Sequence, residues 1–200
     1  MKILIIGASG TIGCAIVQEL KRDTQLVSAN YQSGDYRVDL ANSGSIVTLF
    51  KQIGQLNGIV CAASRGVIFK PLIEMTTEDY LTSMQQKLFG QLRLVLEGIK
   101  VLSDHSSITL TTGLMNHDFV LNGSAAALVN HAVEGFVKAA ALDMPRGIRI
   151  NVVSPALLEE SVEKYAELCP GFEPVSSAKV ARAYRKSIYG IQSGQVYHVT

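Results

Sequence analysis

No C-x-x-C pair, no basic stripe, no apolar run of membrane-spanning length and no metal-ligand spacing occur in this 200-residue sequence. Three isolated cysteines, Cys14, Cys61 and Cys169, supply no disulfide framework. They read as small buried hydrophobes of a chain kept in a reducing compartment. A net charge of +1 with scattered Lys and Arg leaves no track of phosphate contacts, so no nucleic-acid partner is expected. No apolar stretch approaches the ~20 residues of a membrane-spanning helix. The start, MKILIIGASGTIGC, has the lysine, apolar run and Gly-Cys pair of a lipoprotein signal. Its apolar core ILII is shorter than the ~7–15 residues such a signal needs, and a cytoplasmic location is expected. With no His, Cys or carboxylate set at metal spacing, no metal is expected. Asp118 and Asp143 form no triad with a serine and a histidine. Repeats, low-complexity tracts and linkers are missing as well. A hydrophobic content of 48% and a charged content of 18% then suit one soluble domain over residues 1–200.

Short apolar runs alternate with longer stretches of helical period. The strands read ILII (3–6), QLVSA (25–29), YRVDL (36–40), GIVCAA (58–63), SITLTT (107–112), IRINVVS (148–154) and QVYHV (195–199). Helices are expected near 11–22, 43–53, 77–101, 123–144, 156–168 and 177–189. Over 77–101 the apolar positions suit one packed helix, and CPGFEPVSS at 169–177 reads as a surface turn. Strands apolar on both faces and separated by helices imply a doubly wound α/β fold: seven strands, mostly parallel, with helices on both sheet faces.

GASGTIG at 7–13 follows the first strand and opens the first helix. In that context Gly7 permits a tight turn, Gly10 lets the backbone approach a diphosphate, and Gly13 lets the helix pack on the sheet. Ser9, Thr11 and Ile12 complete the loop, and the helix N-terminus offers N–H groups and a positive dipole end to an anion. This is the dinucleotide-binding arrangement of a Rossmann fold. The tip of the second strand should read the ribose 2′-position. It holds Asn30, Tyr31 and Gln32, with no acid to repel a 2′-phosphate and no base to accept one. NADP(H) is therefore favoured over NAD(H), and Asp35 lies too far along the turn to decide it.

With this loop, VDL at 38–40, PLIEMTTEDYLTSMQQKLFGQ at 71–91, SITLTTG at 107–113 and AVEGFVKAAALDMPRGIRINVVSP at 132–155, the chain resembles the short-chain dehydrogenase/reductase family. The resemblance covers nearly the whole sequence in the same order of parts. It implies that Asp39, with Leu40 beside it, contacts the adenine. CAAS at 61–64 stands where the family has an Asn-Ala-Gly turn, which brings Ala62 and Ala63 to the cofactor. Ser154 and Pro155 would meet the nicotinamide end, although Ala156 replaces the glycine that usually follows. The resemblance further implies a homo-dimer or homo-tetramer built on the helices at 77–101 and 123–144.

The same resemblance marks four departures. The family's catalytic Tyr falls on Ala126, and the Lys four residues later, on the same helix face, falls on Asn130. In relatives that lysine favours the tyrosinate and fits the phenol for proton exchange with a substrate oxygen during hydride transfer. The family's serine falls on Thr112, which keeps a hydroxyl, and its water-relay asparagine falls on Lys87. The chain is similar to an atypical subgroup with an intact glycine loop and no Tyr/Lys pair. Its length implies little room after Pro155 for a substrate lid.

Two residues offer substitute proton chemistry. His117, after the fifth strand, lies where ligands of such sheets bind, and histidine is a residue type suited to acid–base work near neutrality; otherwise it is an exposed loop histidine. Lys87 could polarise a carbonyl or bind a carboxylate; otherwise it is a solvated helix-face lysine. His131 reads as packing or interface and His198 as an edge residue. Met115, Phe119 and Leu121 either line a small pocket or anchor core and loop. The expected activity is an NAD(P)(H)-dependent oxidoreductase acting on an unidentified small carbonyl or alcohol, with Thr112, Lys87, His117 and Asn130 as candidate catalytic residues. The alternative is a non-catalytic NAD(P)-binding sensor or scaffold.

Overall fold

The computed structural model describes residues 1–63 and 65–200, and every side chain among them except that of Ala166. The first strand, β1 (Lys2–Ile6), is buried along almost its whole length. Alternation sends Ile3 and Ile5 to one sheet face and Leu4 and Ile6 to the other. Each face builds its own core. Ile3 and Ile5 pack with Ile16 and Leu20 of α1 (Thr11–Leu20) and with Val180, Tyr184 and Ile188 of α7 (Ser177–Tyr189). Leu4 and Ile6 meet α2 (Ser43–Ile53), α4 (Gly90–Gly98) and α5 (Ser124–Asp143) through Ile46, Leu49, Leu94, Val129 and Val133.

Among the described residues the remaining strands are β2 (Gln25–Asn30), β3 (Tyr36–Arg37), β4 (Leu56–Cys61), β5 (Leu102–Thr111), β6 (Arg149–Pro155) and β7 (Val196–Val199). They pair in the order β3-β2-β1-β4-β5-β6-β7, and every pairing is parallel. The doubly wound expectation holds, with no antiparallel strand in this sheet. The order reverses between β1 and β4, which opens a crevice at their C-terminal ends. No described helix is long and apolar enough to cross a membrane.

Several boundaries differ from the sequence reading. The third strand pairs over two residues only. Asp39 donates its N–H to Ser45 Oγ and accepts from Ala41 N–H, turning the chain off the sheet. The fifth strand starts at Leu102, five residues early, because its first part is polar and half exposed and so lacks an apolar signal. The expected 77–101 helix is helical over α3 (Thr77–Ser83) and α4, but a π-helical stretch, Met84–Phe89, joins them. The Thr76–Asp79 capping box starts this run.

The expected helix at 156–168 is shorter and irregular. Two 3₁₀ turns, Glu159–Ser161 and Ala166–Leu168, flank the four-residue α6 (Val162–Tyr165). A bridge between Leu158 and Val175, with Val175 N–H donating to the Leu157 carbonyl, ties the two ends of this segment together. The cysteine expectation also needs correction: Cys61 and Cys169 are buried, but Cys14 is exposed on α1.

Candidate functional site

Two adjoining clefts open along the crevice. The first, about 420 Å³, is lined by Gly7, Ser9 and Gly10 of the glycine loop, by Asn30 and Tyr31 at the end of β2, and by Asp39, Leu40, Ala62, Ala63, Arg65 and Gln86. The second, about 430 Å³, is lined by Ile12, Lys87, Thr112, Met115, Ala126 and Pro155 and by residues of the segment after β6. They meet at Ala62, Arg65 and Gly66.

The glycines of the loop differ in what holds them. Gly7 has φ +84°, and a Cβ there would lie 2.7 Å from Ala63 N. At Gly13 a Cβ would stand 2.0 Å from the Gly7 carbonyl oxygen. At Gly10 the nearest atom would be 3.5 Å away, an ordinary contact. The fold thus requires Gly7 and Gly13, while Gly10 keeps open a cradle that a Cβ would fill. Gly10 is the N-cap of α1, with no side-chain cap and no acid in the first turn. The helix end therefore presents uncompensated N–H groups and positive dipole. Such a cradle fits the diphosphate of a dinucleotide. Thr11 is exposed on the first turn of α1, and the expected cofactor contacts at 61–64 end at Ala63, because Ser64 lies outside the described residues.

Lys87 sits in the π-helical turn and is buried, with 6% of its surface exposed. That removes the reading as a solvated helix-face lysine. On the next turn Gln91 fixes the helix to the end of β5: its Nε2 donates to the Thr111 carbonyl and its Oε1 accepts from Thr111 N–H. Lys87 thereby points at the following carbonyl, with Nζ 3.5 Å from Thr112 O. Among the described residues no carboxylate pairs with it. Burial pushes its pKa down to about 8. Wide helical turns of this kind are often found at functional sites.

The other candidates are turned elsewhere. The Thr112 hydroxyl donates to Glu134 Oε1 at 3.0 Å, so its hydrogen is committed to the interior. His117 does not line the second cleft. Its Nε2 lies 3.0 Å from Glu134 Oε2, and its ring packs 4.6 Å from that of His198 and 5.6 Å from that of His131. Glu134, invisible as a candidate in the sequence, holds this cluster together. Burial raises its pKa, but hydrogen bonds, among them those from His117 and Thr112, prevail and hold it below the usual value. Asn130 is fully buried, with Nδ2 donating to the Gly113 carbonyl, and does not line the cleft. It ties α5 to the end of β5 and has no proton to exchange.

The segment after β6 contributes to the second cleft, which Leu157, Leu158, Tyr165 and Leu168 help to wall. Cys169 and Phe172, from the stretch read as a surface turn, line it too. Met115 joins them, whereas Phe119 and Leu121 lie on a separate groove with Lys70 and Leu72. No described group of three or more His, Cys, Asp or Glu could hold a metal ion.

Comparison with known proteins adds the following. Residues 7–189 match the family model described as Enoyl-(Acyl carrier protein) reductase. An uncharacterized oxidoreductase of Methylorubrum extorquens is 31% identical over 179 residues, covering 76% of this chain and 71% of that protein. The crystal structure of the protein lin1944 from Listeria innocua superposes with a TM-score of 0.98 at 48% identity, covering 100% of both chains. A small-chain dehydrogenase in complex with NADPH shares the fold, with a TM-score of 0.87 at 22% identity, covering 100% of this chain and 96% of that one.

Proposed function

We propose, because this chain belongs to the short-chain dehydrogenase/reductase family of oxidoreductases, that it is a nicotinamide-dependent oxidoreductase of a small carbonyl or alcohol whose proton donor is Lys87. The carrying observation is the junction of the two clefts: a glycine cradle facing one and, facing the other, a buried ammonium with no carboxylate partner among the described residues. Gly7, Ser9, Gly10 and the first turn of α1 would hold the diphosphate, Asp39 and Leu40 the adenosine end, and Pro155 the nicotinamide end. A small-chain dehydrogenase that shares this fold is known in complex with NADPH, which agrees with the cofactor class.

A nicotinamide dinucleotide held there would supply hydride to the carbonyl carbon. Lys87 hydrogen-bonds the carbonyl oxygen through Nζ and gives it a proton as negative charge develops there. The neutral amine left behind takes a proton from solvent. Ala126 leaves space beside Thr112 and Gly113 where relatives carry the phenol, so the acid arrives from the π-helical turn and not from α5. Leu157, Leu158, Leu168 and Phe172 keep water away and strengthen the Nζ interaction.

Parallel calorimetric titrations with NADPH and NADH, followed by cofactor oxidation assays over a panel of small aldehydes and ketones, test this reading. Binding at micromolar or lower concentration with turnover of at least one carbonyl is expected. Tight binding with no turnover would instead support a non-catalytic nucleotide sensor, a reading favoured by the commitment of Thr112 to Glu134.

A homo-oligomer is part of the proposal. Leu81 and Leu96 on the α3–α4 run and Leu128 on α5 stand exposed, an apolar display that a second copy would cover. Light scattering should give a dimer or tetramer, and Leu96→Glu with Leu128→Glu should move the mass toward that of one chain.

A further inference from the structure

In a sheet of this topology the tip of the second strand reads the ribose 2′-position of a dinucleotide. Here that tip has neither acid nor base in its own sequence: Asn30, Tyr31 and Gln32. The folded chain brings a base to it from elsewhere. Arg65, in the loop after β4, places its guanidinium carbon 4.1 Å from the centre of the Tyr31 ring, and both residues line the first cleft.

Two neighbouring polar groups, Asn30 and Asp35, are already committed. Asn30 is buried, with Oδ1 accepting from Ser9 N–H at 3.2 Å, so it holds the glycine loop. The Asp35 carboxylate is turned back onto Ser28, accepting from its N–H and its hydroxyl at 2.8 Å each. Among the described residues no acid pairs with Arg65. When the face of a guanidinium rests on an aromatic ring, its N–H groups stay in plane and are left to meet an anion edge-on.

We propose that Arg65, seated on Tyr31, binds the ribose 2′-phosphate and makes this chain selective for the phosphorylated dinucleotide. The inference rests on the dinucleotide reading above. A 2′-phosphate gains charge-assisted, bidentate hydrogen bonds from the guanidinium, and a 2′-hydroxyl does not. Selectivity is that difference in affinity. The base comes from the β4 side of the cleft, where it also borders the second cleft.

The test is calorimetry on the full chain and on Arg65→Ala, Arg65→Lys and Tyr31→Ala, with two ligand pairs: NADPH against NADH, and 2′,5′-ADP against 5′-AMP. The unaltered chain should prefer the 2′-phosphorylated member of each pair by roughly ten- to hundredfold. Arg65→Ala should erase that preference by weakening the phosphorylated member alone. Arg65→Lys and Tyr31→Ala should each keep part of it, since one loses the planar fork and the other its support. Equal weakening of both members in Arg65→Ala, or a preference that survives it, overturns the proposal while leaving dinucleotide binding intact. If the unaltered chain binds neither NADPH nor NADH, the dinucleotide reading falls and takes this inference with it.

Discussion

Lys87→Met should lower the rate of carbonyl reduction by roughly two to four orders of magnitude, the usual contribution of a positioned general acid, and should at the same time make the protein more stable at neutral pH. The two effects have one cause. Burial disfavours the charged form of the ammonium, which has no carboxylate partner among the described residues, and moves its pKa from 10.5 to about 8. Because the folded pKa lies below the unfolded one, the unfolded chain binds more protons between these values, and stability rises with pH across that window. Below about pH 8 the full penalty is present, on the order of 3 kcal/mol as an upper bound. Methionine removes it. Thermal denaturation should therefore show a higher melting temperature for the variant at pH 7, by at most roughly 6–12 °C, with the gap closing toward pH 10.5. In the unaltered protein, reduction needs the ammonium and should decline as pH rises through about 8, while oxidation needs the free amine and should climb. A variant that is more stable but equally active would assign Lys87 to the structure and remove it from the chemistry.

The second large effect separates two glycines of one loop. Gly13→Ala drives a Cβ to 2.0 Å from the Gly7 carbonyl oxygen and 2.7 Å from Ala8 Cα, both backbone atoms that cannot swing aside. The variant should lose about 1–3 kcal/mol of stability or more and all measurable nucleotide binding, because α1 can no longer sit against the loop. Gly10→Ala meets nothing closer than 3.5 Å, so its stability should change by less than about 1 kcal/mol. Its dinucleotide affinity should nevertheless fall by roughly ten- to hundredfold, since the added methyl occupies the cradle. Denaturant titration beside calorimetry distinguishes the two. Gly10→Ala binding as well as the unaltered chain would show that no diphosphate approaches that backbone.

The contrast between these glycines also shows where sequence reading stops. GASGTIG is legible because its residues are local: strand, turn and helix N-terminus follow one another, and spacing along the chain fixes spacing in the fold. For the same reason the α/β succession could be read directly. The resemblance set Ala126 and Asn130 at the family's Tyr and Lys by their distance from AVEGF; in the structure Ala126 lies in the wall of the second cleft, and Asn130 is buried away from it.

What depends on two distant segments was not legible. The residue type of Lys87 is compatible with solvent or cleft. A π-helical turn and the anchoring of Gln91 to Thr111 decide that it is buried. The hydroxyl of Thr112 and the imidazole of His117 were both candidates for chemistry, and both are taken by Glu134, one turn beyond Asn130. The second strand lacks a base in its own sequence, yet the loop after β4 delivers Arg65 to Tyr31. By itself the sequence determined the fold class and the glycine loop, because these are written in local periodicity and spacing. Only the tertiary structure decided which polar groups face the clefts, because hydrogen-bond partners compete for each one across the sheet, and that competition has no signature along the chain.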